Sequence, residues 1–338
     1  MSRKYNVAVV GATGAVGEVM LELLADREFP VGRLAALASA RSVDETVRFG
    51  RREVAVQDLA EFDFDGWDFA LFSAGGAVSA KHAPRAAAAG CIVIDNTSHF
   101  RMQPDIPLVI PEINFEQIDR ILGDLSGGGI IANPNCSTLQ MLMVVAPIHR
   151  AAGVDRINVA TYQAVSGAGR SAMEELARQT RGRFEFKEPE ARALKAPIAF
   201  NVIPRIDRTE DNGYTREEMK MHFETRKILG DERISVNATA VRVPVFFGHA
   251  EAIHLETSEP IEIGRVRELL ASSPGVVVVD GEDDPTPLTH AAGQDAVFVS
   301  RIRRDLSHER GIDLWVVADN LRKGAALNAI QIAERITE

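Results

Sequence analysis

The sequence predicts an α/β fold, in which a doubly wound parallel sheet is followed by a second, α+β domain with a mixed sheet. The first third of the chain alternates short β-branched runs with helical stretches rich in alanine and leucine, a pattern typical of parallel strands joined by crossover helices. From residue 157 onward the predicted strands are longer and alternate apolar with polar residues, which favours a mixed or antiparallel sheet. With 338 residues, of which 46% are hydrophobic, the chain can bury the cores of two domains.

The first domain is predicted to cover residues 1–133 and to be completed by a C-terminal helix within residues 319–338. Strands are predicted at residues 7–10, 34–38, 69–73, 92–95 and 130–132, and helices at residues 19–25 and 79–89. An almost wholly apolar helix at residues 139–148 is predicted to be buried. We place the domain boundary near Pro134, just before that helix.

The second domain is predicted to cover residues 134–318. Its strands are predicted at residues 158–165, 234–245, 252–257, 276–279, 297–302 and 314–318, and its helices at residues 171–180 and 216–228. Residues 181–206 are polar and interrupted by proline. We interpret this segment as an excursion over a neighbouring subunit.

Charge and cysteine content narrow the class of protein. A net charge of −10 argues against nucleic acid as the main partner, because phosphate binding requires a broad basic surface. The two cysteines cannot build a disulfide framework, and they fit a reducing compartment. The chain has no signal-peptide core and no apolar stretch long enough to span a bilayer, so we expect a soluble, cytoplasmic protein without a membrane partner. No metal site is predicted.

A glycine-rich turn, GATGAVG at residues 11–17, joins the first predicted strand to the first helix. Glycines at this position allow a tight turn, and they let backbone N–H groups approach a pyrophosphate at the helix N-terminus. The spacing is GxxGxxG and not GxGxxG, and a tight turn without a ligand is the alternative. The combination of strand, glycines and helix favours a Rossmann-type cofactor site.

The end of the second strand predicts NADP as the cofactor. An NAD-specific site would place an acidic residue there to bind the ribose hydroxyls. This chain has Ser39, Arg41 and Ser42, and a guanidinium with two hydroxyls suits a 2′-phosphate. In the alternative interpretation Arg41 is an ordinary solvated arginine, and Asp44 or Glu45 reaches the ribose.

Cys136 is the candidate nucleophile. It lies at the start of the buried helix, where unpaired N–H groups and the helix dipole stabilise a thiolate and lower its pKa. The alternative of a packed core cysteine is the one we accept for Cys91, which lies in a strand-like run. Polar residues surround Cys136, and the neighbouring Asn135 can supply an oxyanion donor.

Two further residues fit a site around this thiol. His249 follows a strand and a glycine, and it is the most suggestive of the eight histidines as the acid or base that such a thiol needs. Arg242 lies within an apolar strand, where a buried unpaired guanidinium would be costly, so we expect it to face an anion.

Taken together, these motifs resemble aspartate-semialdehyde dehydrogenase. The resemblance runs in order from residue 7 to residue 334. It rests on GATGAVG at 11–17, NPNCST at 133–138, QAVSG at 163–167, RVPVFFGHAEA at 242–252 and NLRKGAALNAIQIAE at 320–334. The family pattern differs at His99 and at His222, and neither replaces an assigned catalytic residue.

The resemblance implies a role for each matching residue. Cys136 would be the nucleophile, His249 the general acid/base, Gln163 the residue that orients the thioester, and Asn135 an oxyanion donor. Arg242 would bind the substrate α-carboxylate and Glu217 its α-amino group, while Lys220 and Arg101 would hold the phosphate. Glu217 and Lys220 are three apart on a predicted helix and can instead form a surface pair. The implied cofactor-binding residues are Gly11, Thr13, Gly14, Ala15, Val16, Gly17, Ser39, Arg41, Ser42, Ser73, Ser166, Gly167 and Asn320.

The implied reaction is the reduction of L-aspartyl 4-phosphate by NADPH to L-aspartate 4-semialdehyde and phosphate. This reaction serves the biosynthesis of lysine, threonine and methionine, and the resemblance implies a homodimer. Two alternatives are kept. The first is N-acetyl-glutamyl-phosphate reductase, which shares the chemistry but does not need a carboxylate to bind a free amino group, so Glu217 argues against it. The second is a catalytically silent NADP-binding relative, which would not need the full set of Cys136, Gln163, Arg242 and His249.

Overall fold

The computed structural model describes residues 3–123 and 125–338, so that Met1, Ser2 and Asp124 lie outside the described residues. The chain divides into two compact units. The first contains the chain up to Asn135 together with Ala325–Glu338, and the second contains Cys136–Gly324. The sequence had placed these boundaries at residues 133/134 and 318/319.

The first unit contains a seven-stranded sheet in the part of the chain that the structure describes. Its strands are β1 (Tyr5–Val10), β2 (Val31–Ala38), β3 (Thr46–Phe49), β4 (Arg52–Asp58), β5 (Phe69–Phe72), β6 (Ile92–Asp95) and β7 (Gly129–Ala132). Their order is β3-β4-β2-β1-β5-β6-β7, and every pair is parallel except β3 with β4. The strand order reverses beside β1, which confirms the doubly wound prediction.

Helices of the first unit are α1 (Ala15–Asp26), α2 (Gly76–Ala88), α3 (Pro111–Asn114), α4 (Gln117–Leu122) and the C-terminal α9 (Leu327–Thr337). The last helix belongs to this unit, and its buried residues join the same core as β1 and α1. Two arginine contacts fix it there: Arg27 forms a 2.7 Å ion pair with Glu334, and Arg335 donates to the Pro111 carbonyl at 2.7 Å.

The second unit contains a mixed six-stranded sheet in the order β11-β12-β13-β10-β8-β9. Its strands are β8 (Arg156–Gln163), β9 (Ser235–Arg242), β10 (His249–Glu256), β11 (Val276–Val278), β12 (Val297–Arg304) and β13 (Gly311–Ala318). The helices are α5 (Cys136–Ala152), α6 (Arg170–Phe184), α7 (Arg216–Leu229) and α8 (Ile263–Ala271). Helix α5 is buried along most of its length, as its all-round apolar character predicted.

Polar side chains of α6 hold the segment that sequence analysis interpreted as an excursion. The buried Glu175 carboxylate accepts hydrogen bonds from the backbone N–H groups of Arg192 and Ala193. The buried Gln179 accepts from those of Ile198 and Ala199. These contacts fasten the segment to its own unit, while its packing over a neighbouring subunit stays a prediction.

Two strand boundaries predicted from the sequence were wrong in a way that affects the site. Strand β9 ends at Arg242 instead of continuing to residue 245, and β10 begins at His249 instead of at residue 252. Pro244 has no N–H to donate to a strand, and Gly248 has a φ of 85°, which side chains other than glycine rarely adopt. Arg242 and His249 therefore lie at strand ends. No helix among residues 3–123 and 125–338 is long and apolar enough to cross a membrane.

Candidate active site

The glycine-rich turn forms a cradle at the carboxyl end of β1. Gly11 has a φ of 86°, and a Cβ at this position would lie 2.6 Å from the Ser73 carbonyl oxygen at the end of β5. A Cβ on Gly17 would lie 2.2 Å from the Gly11 carbonyl oxygen. Only glycine fits at either position, so the turn can stay tight against the start of α1. The N-terminal N–H groups of this helix suit a pyrophosphate.

The side chains predicted to select the cofactor phosphate follow β2. Ser39 precedes a short 3₁₀ turn, Ala40–Ser42, in which Arg41 is exposed. Asp44 and Glu45 come directly after it and are exposed as well. An accessible guanidinium thus follows β2, and its binding of a 2′-phosphate stays a prediction.

Cys136 and His249 come together in the second unit although 113 residues separate them. Cys136 opens α5, and its Sγ lies 3.3 Å from Nε2 of His249, the first residue of β10. Cys136 is partly exposed, whereas the histidine is fully buried. A Cβ on Gly324 would lie 2.9 Å from the Cys136 Cβ, so the chain passes close to the thiol. The pair is placed for thiol chemistry at an accessible helix N-terminus.

Burial controls the charge of His249. It lowers the pKa of the ring to about 3, and the positive charge of Arg242 acts in the same direction. Glu217 and the Gly248 carbonyl oppose the shift. The ring is therefore neutral at physiological pH.

Gln163, the last residue of β8, lies among three hydrogen-bond acceptors. Its Nε2 is 2.9 Å from the Ser137 hydroxyl, 3.3 Å from the Thr161 hydroxyl and 3.3 Å from Oε1 of Glu217. Ser137 follows Cys136 in the first turn of α5. The amide is thus fixed beside both helix α5, which begins at Cys136, and the Glu217 carboxylate. This position suits a residue that orients a bound group.

Arg242 lies at the end of β9 and is 6% exposed. Its Nη1 donates to the Ala164 carbonyl at 2.7 Å. Burial lowers the pKa of the guanidinium, while Glu217 and Cys136 act against that shift. A cation held in such a place favours a bound anion, and its planar fork matches a carboxylate.

Glu217 and Lys220 form an ion pair on α7, with 2.8 Å between Oε2 and Nζ. The pairing that sequence analysis kept as an alternative is therefore present, but it is not a surface pair because Glu217 is only 6% exposed. Asp207 also contacts Lys220, at 3.4 Å, a neighbour that sequence analysis missed. One carboxylate and one ammonium group are thus held next to Gln163.

Asn320 ties together the loops that flank the histidine. Its Oδ1 accepts the Gly248 backbone N–H at 3.0 Å, and its Nδ2 donates to the Ser166 hydroxyl at 3.0 Å. Gly167 follows Ser166, and a Cβ there would lie 3.1 Å from Arg242 Nη1 and 3.4 Å from His249 Nε2. The predicted residues of this unit therefore form one close-packed group.

The remaining predicted residues lie in the first unit. Arg101 is buried and donates to the Asn96 carbonyl at 2.8 Å, and Asn135 is buried as the last residue before α5. Arg101 is still only predicted to bind phosphate, and Asn135 is still only predicted to bind an oxyanion. The cofactor residues Thr13, Ala15 and Val16 belong to the glycine turn and the first residues of α1.

Comparison with known proteins decides the family. Residues 6–121 match the family model for the NAD binding domain of semialdehyde dehydrogenases, and residues 145–323 match the model for their dimerisation domain. Aspartate-semialdehyde dehydrogenase 2 of Vibrio cholerae is 56% identical over 334 residues, which cover 99% of this chain and 98% of that protein. The chain belongs to the aspartate-semialdehyde dehydrogenase family.

Solved structures of aspartate-semialdehyde dehydrogenases share the fold. The crystal structure of the Vibrio cholerae enzyme II complexed with ASA superposes with a TM-score of 0.95 at 55% identity, covering 98% of each chain. The Candida albicans aspartate-semialdehyde dehydrogenase, described with NADP, has a TM-score of 0.78 at 26% identity and also covers 98% of each chain. The two-domain prediction, with a Rossmann-type sheet and a mixed sheet, is confirmed.

Sequence analysis missed a buried carboxyl group behind the thiol pair of this aspartate-semialdehyde dehydrogenase fold. Glu251 lies two residues after His249 on β10, on the same face of the strand, and is fully buried. Neither carboxyl oxygen has a hydrogen-bond partner among the described residues. Burial raises the pKa of Glu251 well above its usual value. The Gln140 side chain on α5 lies near enough to oppose this shift, although it makes no hydrogen bond of normal geometry with the carboxyl group. Residues two apart on a strand lie on the same face, so the spacing from His249 is the sequence signal that could have identified Glu251.

Replacing Glu251 with glutamine is expected to remove a pH dependence of stability. The folded state keeps its proton where the unfolded chain has lost it, so stability falls as pH rises above the unfolded pKa. The fall is about 1.4 kcal/mol per pH unit until the folded pKa is reached. Glutamine is uncharged and of similar shape, so the stability of E251Q relative to wild type should increase as the pH rises above about 5.

Denaturant unfolding of both proteins across this pH range measures the effect. The exposed Glu282→Gln is the matched control and should leave the wild-type pH profile unchanged. A constant difference between E251Q and wild type at every pH would show that Glu251 is charged in the folded protein.

Proposed function

We propose that this protein is an NADP-dependent aspartate-semialdehyde dehydrogenase that reduces L-aspartyl 4-phosphate to L-aspartate 4-semialdehyde through a thioester on Cys136. The reaction would serve the biosynthesis of lysine, threonine and methionine. The observation that carries the proposal is the 3.3 Å contact between the Cys136 sulfur and His249 Nε2, beside the buried Arg242. A homodimer is part of the proposal, supported by the dimerisation-domain match.

Binding of a zwitterionic amino acid follows from the charges near the thiol. The Arg242 guanidinium can pair with the α-carboxylate through two parallel hydrogen bonds, which fix its orientation. Glu217 can accept from the α-ammonium group, and Lys220 can attract the phosphate. The acyl carbon of such a ligand would then lie at the Cys136 sulfur.

The sulfur acts first as a thiolate. It attacks the acyl carbon, the carbonyl oxygen becomes an oxyanion, and the carbon–oxygen bond to phosphate breaks to leave a thioester. Asn135 and the N–H groups that open α5 can stabilise the oxyanion, and Gln163 can hold the acyl group in place. His249 is the side chain that can share a hydrogen with the sulfur and with the oxygen of the later hemithioacetal.

The glycine cradle fits a dinucleotide, because a side chain at Gly11 or Gly17 would clash with neighbouring backbone and prevent the tight turn that leads into α1. Gly11, Thr13, Gly14 and Gly17 would hold its pyrophosphate, and Arg41 with Ser39 and Ser42 would hold the 2′-phosphate. The family resemblance also assigns cofactor binding to Ser73 of the first unit and to Ser166, Gly167 and Asn320 of the second unit. Bound NADPH would supply a hydride to the thioester.

Phosphate-dependent reduction of NADP by aspartate semialdehyde, followed at the nicotinamide absorbance, tests the proposal. We expect turnover only when all three components are present. The same assay with N-acetyl-glutamate semialdehyde tests the alternative, because the buried Glu217 suits a free amino group and not an acetylated one. No signal with either aldehyde would favour a catalytically silent relative.

Changing Arg41 to aspartate is expected to weaken NADP binding by about tenfold or more, because a charge-assisted hydrogen bond to phosphate is lost and a negative charge is added. NAD binding should change much less. Fluorescence titration with NADPH and NADH measures both affinities. The control is Arg51→Asp, a charge reversal at another exposed arginine of the same unit. Unchanged NADPH affinity in R41D would remove Arg41 from the cofactor site.

A further inference from the structure

A second polar pair lies behind the thiol and the histidine, on the same two elements. Helix α5 begins at Cys136 and strand β10 begins at His249, and both lead away from the 3.3 Å contact between these residues. Gln140 follows Cys136 by one helical turn, or about 6 Å, and Glu251 follows His249 by two strand residues, or about 6.6 Å. The amide and the carboxyl group therefore lie at nearly the same distance behind the reacting pair, on the same faces of α5 and β10.

Both side chains are buried without their usual partners. Gln140 is 1% exposed and Glu251 is 0% exposed. The two oxygens of the Glu251 carboxyl group and the oxygen and nitrogen of the Gln140 amide have no hydrogen-bond partner of normal geometry among the described residues. A buried polar atom without a partner is costly, and folded proteins contain few of them. Each of these two side chains can supply what the other lacks.

We propose that protonated Glu251 and Gln140 form a cyclic pair of two hydrogen bonds, and that this pair positions Cys136 against His249 by holding α5 to β10. A carboxylic acid and a primary amide each present a donor and an acceptor side by side. The acid O–H donates to Gln140 Oε1, and Gln140 Nε2 donates to the acid carbonyl oxygen, so both groups are satisfied together. Rotation about the last side-chain bond of either residue, which is a soft torsion, brings them into this alignment.

The cyclic pair requires Glu251 to be neutral. A carboxylate has only acceptors, so one of its oxygens would face the amide oxygen of Gln140. The amide nitrogen by itself favours the carboxylate, and this is the effect by which Gln140 opposes the rise in the pKa of Glu251. Burial outweighs that effect and keeps the pKa well above its usual value. The amide oxygen then has a proton to accept.

The strands beside β10 place neutral residues opposite Glu251. These residues are Thr161 on β8 and Val316 on β13. The charged and titratable groups that face this part of the unit are Cys136 from α5, His249 from β10, Arg242 from β9 and Glu217 from α7. Burial lowers the pKa of His249 to about 3, so the ring next to Glu251 on the strand supplies no positive charge. Gln140 is thus the partner on α5 for the proton of Glu251.

Directional hydrogen bonds at this place fix the spacing between α5 and β10. Apolar side chains of the same size would fill the space but would not define one orientation, whereas hydrogen bonds weaken steeply when they are misaligned. Without the pair, Cys136 Sγ can move away from its position 3.3 Å from His249 Nε2. The effect on turnover rests on the proposed function, because an acid or base must lie within hydrogen-bond reach of the reacting group.

Infrared difference spectroscopy of the full-length protein tests the protonation and the partner. The spectrum of wild type minus that of E251Q isolates the Glu251 carboxyl group. We expect the C=O stretching band of a hydrogen-bonded carboxylic acid at neutral pH. The same difference, taken between Q140L and Q140L/E251Q, should show this band at a higher frequency, because the acid carbonyl has lost its donor. Carboxylate bands at neutral pH, or an acid band that does not move when Gln140 is replaced, would overturn the proposal.

Alkylation of Cys136 by iodoacetamide as a function of pH tests the positioning. Burial raises the pKa of Cys91, the other cysteine, to about 12, so the reaction reports Cys136. E251Q can form the same two bonds with Gln140 through its own amide, and its midpoint should lie within about 0.2 pH unit of wild type. E251L cannot, and its midpoint should rise by about half a pH unit or more as the thiol leaves the groups that stabilise its thiolate. E282L, at an exposed glutamate of the same unit, is the control and should keep the wild-type midpoint.

The double variant Q140L/E251L separates positioning from stability. Replacing both partners with apolar residues leaves no orphaned polar atom, so its resistance to denaturant should exceed that of E251L. Its alkylation midpoint should nevertheless stay raised, because the directional bonds are still missing. A wild-type midpoint in the double variant would show that the pair stabilises the fold without positioning the thiol, and this result would contradict the proposal even if E251L does not fold. Neither experiment uses NADP or the aldehyde, so a failure of the proposed function would leave both results interpretable.

Discussion

Replacing Cys136 with alanine is expected to lower the turnover of aspartate semialdehyde by about 10⁴-fold or more, because no other group in the second unit is placed to form the thioester. The binding of NADP should persist, since the glycine cradle lies in the first unit. The phosphate-dependent assay measures the loss of turnover, and fluorescence titration with NADPH measures the retained binding.

Cys91→Ala is the control for this experiment. Cys91 is buried, and its Sγ lies 3.1 Å from the Trp67 carbonyl, so it has a packing role in the first unit. C91A should keep the turnover of the wild type. Substantial turnover by C136A would remove the covalent intermediate from the mechanism.

Changing Arg242 to lysine is expected to lower kcat/KM for aspartate semialdehyde by about 100-fold or more. Lysine keeps the charge but cannot form two parallel hydrogen bonds with a carboxylate, and an impaired buried charge pair typically costs about 2–5 kcal/mol. The loss of the 2.7 Å bond to the Ala164 carbonyl adds to the effect, because the N–H of the same residue donates to His249 Nδ1 at 3.1 Å. Steady-state kinetics with varied aldehyde measures the change.

The specificity of this effect is checked in two ways. NADPH affinity should be unchanged in R242K, and the exposed Arg301→Lys, in the same unit, should keep wild-type kinetics. A kcat/KM for R242K within about threefold of wild type would mean that Arg242 supports the fold and does not bind the substrate carboxylate.

Buried periodic segments of this chain could be predicted from sequence. The strands β1, β2, β5 and β6 are almost continuous apolar runs because helices cover both faces of a parallel sheet. The strands β3 and β4 carry the exposed charged residues Arg48, Arg52 and Glu53 at the edge of the sheet. Because of these charges, neither strand has the apolar run by which the other strands were predicted. The sheet of the first unit was therefore predicted without its outer antiparallel pair.

The site could be predicted in its residue types but not in its contacts. The position of Cys136 at the start of a helix identified it as a candidate nucleophile. The cost of burying an unpaired guanidinium identified Arg242 as a residue that faces an anion. The position of His249 after a strand and a glycine marked it as the candidate partner of Cys136, but no sequence pattern gave the 3.3 Å contact between them, because the two residues are distant in the chain. The hydrogen bond from the Ala164 N–H to His249 Nδ1 left no sequence signal, since every residue except proline has a backbone N–H.

Trapping the acyl-enzyme tests the central claim most directly. Enzyme mixed with NADP and aspartate semialdehyde, without phosphate, should reduce one NADP per thiol and then stop, because no acceptor releases the acyl group. Mass spectrometry of the acid-quenched protein should find one aspartyl group on the peptide that contains Cys136, and added phosphate should remove it. A burst of NADPH without a modified Cys136, or the same burst in C136A, would contradict a thioester at this sulfur.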